Sequence, residues 1–398
     1  MYEDVLKTAE SLEIKIIEHR RFLHQNAEVG FKLNKTVEYI KSQLLKMGYE
    51  CENIGKSGFI CSVGSGKQSV LLRADMDALP MSEQTGLKFA SKTGNMHSCG
   101  HDMHSAMLLG AAEILKTLEN KLNKRICLMF QPAEEQLEGA LDMLQGGLLE
   151  RTNPTAAVML HIISSKNIPT GSLIVSSPGI SAPSADYFEI TLTGKSAHGS
   201  TPEEGIDPFI PAAHILLGLD AIKTHELALG QEAVLTIGCI EGGVAHNVIS
   251  EKAVLKGTLR AYDEKVRSFV KERLVNITEN MASAFRVKST VKFSSGCPAL
   301  VNDKVVSENT YSILNKAFGQ KVLTTKMLSH DGCSPRGGGS EDFAYITQKV
   351  PSVMVALSAA PQRIEFLPLH HPKAVFSEEV LKIGATAYAL CGIYLNND

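Results

Sequence analysis

The 398-residue chain is 44% hydrophobic and nearly charge-balanced, with 40 basic against 43 acidic residues and a formal net charge of -3. Such a length exceeds that of a usual single domain, so two domains are expected. The charge balance offers no basic face for nucleic acid or an acidic membrane surface, and no apolar run reaches the roughly 18 residues of a spanning helix; neither partner is expected.

The opening "MYEDVLKTAESLEIKIIEHRRFL" reads as an amphipathic helix rather than a secretory signal. Helical spacing of apolar residues continues to about Met47, after which "SGFICSVGS" and "SVLLRADMD" alternate or run apolar as strands do. A helix is expected from about Asp102 to Leu118, with Met103, Met107, Ala111, Leu115 and Leu118 on one stripe. "KRICLMF" reads as a buried strand followed by a loop opening "QPAEE", and "AAVML" as a strand ending at His161. This alternation predicts an α/β domain with a mostly parallel sheet sandwiched by helices, whose ligands gather beyond the carboxyl ends of the strands. Asp75 and Asp77, Glu134 and Glu135, and His161 all fall at such ends.

Near Ser181 the rhythm changes. Strands at "ADYFEITLTG", "AVLTIGCI", "AVLKGTLRAY" and "RVKSTVKF", with helices over Asp207–Ile222 and Asp263–Ala284, give the order β-α-β-β-α-β of a ferredoxin-like unit. The expected layout is a first domain from 1–181 and 295–398, interrupted by an inserted domain at 182–294. "VPSVMVAL" and a terminal helix from Ser377 to about Tyr394 complete the first.

"MHSCGHDMHSAMLLGAA" sets three histidines, a cysteine and an aspartate within eight residues, just where a helix begins. Cys99 and His101, one glycine apart, suit Zn, Ni, Co or Fe better than Mg or Ca. Cys99 could instead be a nucleophile, which needs a base aimed at it, or simply a buried small residue. Glu134 and Glu135, read as neighbours on extended backbone, point to different sides, so one can bind a metal while the other reaches a water as general base. Asp75 and Asp77 share a side and could bind metal or hold a ligating histidine by its second nitrogen. Of His370 and His371 in "LPLHHPK", one could close the site from a distant part of the chain. The eight cysteines (Cys51, Cys61, Cys99, Cys127, Cys239, Cys297, Cys333, Cys391) are scattered without a CxxC pair, and a reducing cytoplasm fits them best.

Eight ordered stretches, "RADMDALP", "MHSCGHDMHSAMLLGAA", "QPAEE", "LH" at 160–161, "GKSAHGSTPEEGIDP", "GGVAHNVIS", "GGGSEDFAY" and "LHHPKAVF", together resemble the metal-dependent aminoacylase and carboxypeptidase family. The match is to its amidohydrolase branch, which includes hippurate hydrolase, indole-acetyl-amino-acid hydrolases and N-acetyl-diaminopimelate deacetylase. The resemblance implies a catalytic domain holding two divalent metal ions (Zn, Mn, Ni or Co) and an inserted lid domain through which two copies dimerise. It implies Cys99, His101, Glu135, His161 and His370 as metal ligands, with Cys99 bridging. Glu134 becomes general base and later proton donor, Asp77 an orienting residue, and His198 an oxyanion stabiliser. Asn247, Arg260 and the glycine-rich loop containing Gly339, before Glu341, become candidates for holding the substrate carboxylate.

The implied reaction cleaves an N-acyl-L-amino acid to a carboxylic acid and a free amino acid. A dipeptidase or exopeptidase using the same site, and a catalytically silent binding member of the family, are the alternatives. The chain departs from the family where Asp75 replaces a histidine of other branches, where "QLEGALDML" replaces a glycine-rich run, and where no aromatic follows His161 by two residues.

Overall fold

A computed structural model describes residues 1–329, 339–361 and 367–395, which fall into two compact units. The first comprises Met1–Ser181 and the described residues from Val301 on, apart from Gly339 and Ser340; the second is Ala182–Leu300 with those two. Cys333 and the glycines preceding Gly339 lie outside the described residues.

In the first unit the amphipathic opening forms three helices, Tyr2–Ser11, Glu13–Gln25 and Asn34–Lys46. An eight-stranded sheet runs in the spatial order Cys51–Ile54, Gly58–Val63, Arg125–Gln131, Ser69–Asp75, Pro154–Ile163, Ser352–Ser358, Leu173–Val175, Val322–Thr324. The four strands from Arg125–Gln131 to Ser352–Ser358 are mutually parallel, and antiparallel neighbours flank them on both sides. Strand Cys51–Ile54 was not legible because Glu52 and Asn53 face solvent, so no apolar run marks it.

The helix expected near Asp102 starts at His101 and ends at Thr117. Rather than one apolar stripe, almost every side is buried, because it packs both against the sheet and against Glu13–Gln25 and Leu381–Tyr394. The strand expected to end at His161 continues to Ile163, with His161 opposite Ala356 in parallel register. Among the described residues no helix is long and apolar enough to cross a membrane.

The second unit has the β-α-β-β-α-β order. Its antiparallel sheet runs Ala233–Gly242, Lys252–Ala261, Ala185–Thr193, Lys288–Cys297, the second, third, first and fourth strands of that order. Helices Phe209–Ala221 and Glu264–Ala284 bury Ile215, Leu219, Val270 and Leu274 with Ile190, Leu192, Leu255 and Leu259. The Asp263 carboxylate caps the longer helix by accepting from the amides of Lys265 and Val266. The last strand runs on to Cys297 and the unit to Leu300, beyond the boundary of 294 expected from "RVKSTVKF", because pairing with Ala185–Thr193 resumes after an irregularity at Phe293/Ser295.

Candidate metal centre

Three carboxyl-terminal strand ends of the first unit, those of Ser69–Asp75, Arg125–Gln131 and Pro154–Ile163, the start of helix His101–Thr117 and the loop at His370 supply the site. Gly100 separates Cys99 from His101 with φ +86°, and a Cβ there would run into the Ile162 side chain. Only glycine therefore allows this turn, which brings Cys99 back toward the end of strand Pro154–Ile163. Cys99 Sγ lies 3.5 Å from His161 Nε2.

Hydrogen bonds fix which ring nitrogens face the cluster. His101 Nδ1–H donates to the Asp77 carbonyl at 2.8 Å and His161 Nδ1–H to the Ile162 carbonyl at 2.6 Å, which leaves a lone pair on each Nε2. His101 Nε2 stands 3.7 Å from Asp75 Oδ2 and 3.8 Å from Glu134 Oε2. His370 Nε2 stands 3.6 Å from Glu135 Oε1.

Cys99, His101 and His161 form one group whose donor atoms all lie within 4.8 Å of one another, and Cys99, Glu135 and His370 form a second. Cys99 belongs to both, as a bridging thiolate would. Two of the buried atoms involved, His101 Nε2 and Glu135 Oε1, carry no hydrogen bond of ordinary geometry, a cost that coordination would remove. The donor set of thiolate, imidazole and carboxylate thus fits divalent transition metals.

Electrostatics points the same way. Burial alone would raise the Cys99 thiol, but His161 and His101 draw it well below its ordinary value. Burial opposes charge on His161, yet Cys99 lifts it to about 9; burial and Cys99 together push Glu135 up to about 8. Burial and then Glu341 push Glu134 well above the usual carboxyl range. Acceptors crowded in this way hold protons where a cation would otherwise neutralise them.

Glu134 and Glu135 do not sit on extended backbone as the sequence reading assumed. Ala133 and Leu137 have φ of +53° and +56°, and the Leu137 amide bonds back to the Glu134 carbonyl at 2.8 Å, so the segment is a tight turn. The Asp77 carboxylate holds it, accepting the amides of Glu134 at 2.9 Å and Glu135 at 3.3 Å.

Both Asp75 oxygens accept hydrogen bonds from other residues. Its Oδ1 accepts from His104 Nδ1 at 2.7 Å and its Oδ2 from Arg73 at 2.7 Å. Burial lowers the His104 pKa to about 4, and its Nε2 accepts the Ile162 amide at 2.8 Å, so both ring nitrogens are used.

His198, Asn247, Arg260 and Gly339 all belong to the second unit. His198 is exposed, and its Nδ1 accepts from the Ser200 amide at 3.1 Å and the Ser200 hydroxyl at 2.7 Å, which leaves the proton on Nε2. The Asn247 carbonyl accepts from the Gly199 amide at 2.8 Å, and Arg260 donates to the Ser340 hydroxyl, beside the exposed Gly339, at 2.7 Å.

Sequence reasoning missed Arg73. Its guanidinium donates to Gln131 at 2.9 Å, Asp75 at 2.7 Å, Glu341 at 2.8 Å and Asp342 at 3.1 Å, joining two strand ends to the segment after the glycine-rich loop. The available signal was an arginine inside "SVLLRAD", a strand buried along its whole length.

Fold and donor set define a metal-dependent hydrolase of the α/β class. The chain belongs to peptidase family M20/M25/M40, whose model matches residues 71–391. It is 36% identical to the N-acetyl-L-cysteine deacetylase of Bacillus subtilis over 345 residues, 86% of this chain and 79% of that protein. It is 33% identical to thermostable carboxypeptidase 2 of Saccharolobus solfataricus, over 100% of this chain and 99% of that one. A crystal structure of the YXEP protein of Bacillus subtilis, a dinuclear metal-binding peptidase of the M20 family, superimposes with a TM-score of 0.76 at 28% identity, covering 96% of this chain and 98% of that chain.

Proposed function

We propose that the chain hydrolyses the amide bond of N-acyl-L-amino acids, with two divalent ions held by Cys99, His101 and His161 on one side and Cys99, Glu135 and His370 on the other. The observation that carries this reading is the buried Glu134 carboxylate, 3.8 Å from the free Nε2 of His101 and beside both donor groups. Ions at these ligands would acidify a water and polarise the amide carbonyl. Glu134 takes the water's proton at its carboxylate and delivers it to the leaving amine. Asp77 fixes that carboxylate's backbone and, through its carbonyl, the His101 tautomer. His198 offers its Nε2–H to the developing oxyanion, and Asn247, Arg260 and the Gly339 segment receive the substrate carboxylate.

The deacetylase relative favours an uncharged acyl group on the substrate. The carboxypeptidase relative keeps a second reading open, a metallo-exopeptidase using the same residues. A homodimer through the second unit is supported by its open edge strand Ala233–Gly242, where Val234 is 53% and Ile240 59% exposed, and by Leu217, 72% exposed on the adjoining helix. A cytoplasmic site of action fits the scattered free thiols.

The test is metal content and turnover of N-acetyl, N-benzoyl and dipeptide substrates after reconstitution with Zn, Mn, Ni or Co, for wild type and Glu134→Ala. The expected result is turnover of an acyl-amino acid by wild type, and a variant that binds metal yet loses about 3 orders of magnitude or more in rate. Activity that survives metal removal would return Cys99 to consideration as a nucleophile.

A further inference from the structure

We propose that His24 is a positioning residue of the metal centre: hydrogen bonds from both of its ring nitrogens fasten the turn that carries His101 to the loop that seats His370. The proposal rests on the ligand reading above.

His24, at the end of helix Glu13–Gln25, is buried. Its Nδ1 lies 2.9 Å from Asp102 Oδ2, and Asp102 directly follows His101. Its Nε2 lies 3.1 Å from Glu83 Oε2. All three side chains are buried, and ionised carboxylates only accept, so the ring satisfies both partners only as an imidazolium.

The surrounding charges require the same state. Arg20 Nε donates to Asp102 at 2.9 Å and its Nη1 to Glu378 at 3.0 Å, while Arg21 donates to the other Glu378 oxygen at 2.6 Å. With His24 charged, three cations face three carboxylates. With His24 neutral, one ring nitrogen would turn a lone pair toward a carboxylate oxygen, and Glu83 would keep only its neutral donors such as the Ser91 amide.

The Glu83 side of the link reaches His370. Glu83 Oε2 also accepts the Ser91 amide at 2.7 Å, and the loop bearing both residues closes where Leu79 and Met96 exchange backbone bonds of 3.1 and 2.9 Å. The Gln84 amide donates to the Pro372 carbonyl at 2.8 Å, and the His370 amide to the Ser98 carbonyl at 3.0 Å. The His370 side chain is 53% exposed and its backbone has φ +63°. Little packing of its own holds it, and these two backbone bonds fix its place.

The experiment titrates metal-free full-length protein with Co²⁺, counting sites and following the thiolate-to-cobalt absorption, for wild type, His24→Gln, Glu83→Gln and the double variant. Circular dichroism selects folded protein. Outer partners of metal ligands typically change affinity tenfold to a hundredfold, and each single variant is expected to weaken one of two sites by about that factor. The double variant, which leaves no unpaired carboxylate, should recover part of the loss. Folded single variants that bind both ions as wild type does, or weaken both equally, overturn the proposal. Failure of wild type to bind two ions overturns the dinuclear reading instead. Should the variants not fold, ¹⁵N-histidine spectra of Zn-loaded wild type decide: a ring with both nitrogens protonated at pH 8 is expected, and its absence overturns the imidazolium clamp.

Discussion

His104 and Asp75 share a 2.7 Å hydrogen bond between Nδ1 and Oδ1, and it takes that nitrogen and that oxygen away from any metal. By sequence, each is as good a ligand as its neighbours. Arg73 bonds to the other Asp75 oxygen, which stands 3.7 Å from His101 Nε2, and the Ile162 amide takes the other His104 nitrogen, so both His104 nitrogens are used.

Two histidines three residues apart should therefore respond differently to substitution. His101→Ala is expected to lose about one metal per chain and nearly all turnover, since it removes a ligand atom. His104→Gln should keep both metals while unfolding at lower denaturant. Elemental analysis beside urea unfolding separates them, and equal metal loss in both would place His104 among the ligands.

Asp77→Ala removes the acceptor of two amides in the turn carrying Glu134 and Glu135. The His101 bond goes to the Asp77 carbonyl, which alanine keeps. Turnover should fall about tenfold to a hundredfold, with weaker binding at the Glu135 side and little change at the His101 side. Metal titration with kcat measured at saturating metal checks this.

Arg73 is 1% exposed and faces Asp75, Glu341 and Asp342. Arg73→Met leaves those carboxylates without their buried cation, an effect of about 3–5 kcal/mol. Denaturant unfolding should register a loss of that order even in metal-free protein. A change below about 0.5 kcal/mol, typical of a surface site, would contradict the role given to Arg73.

Burial, aided by Lys15 and Lys46, brings the His19 pKa down to about 4 from its ordinary value near 6.5. The native state keeps this ring neutral while the unfolded chain takes up a proton below 6.5. His19 thus contributes stability in full above pH 6.5; the contribution falls as pH drops toward 4 and levels off below it. The loss is about 3 kcal/mol at its limit. Unfolding free energies at pH 7 and pH 4.5 should differ less in His19→Gln than in wild type, by about 2 kcal/mol.

Much of the architecture was written in the sequence. Apolar runs and their period mark the parallel strands and the inserted β-α-β-β-α-β unit, and the ligand types cluster at strand ends because a parallel sheet delivers its loops to one edge. Where neighbours in space decide, the sequence was silent. Solvent-facing Glu52 and Asn53 hid an edge strand, and the turn at Glu134 depends on Asp77, 57 residues earlier. Above all, residue types name candidates for a metal, but only tertiary hydrogen bonds say which lone pairs remain free. Arg73, His104 and His24 bind carboxylates and backbone, while Cys99, His101 and His161 keep an atom for the centre. That difference lies in partners brought from far along the chain, which no local spacing encodes.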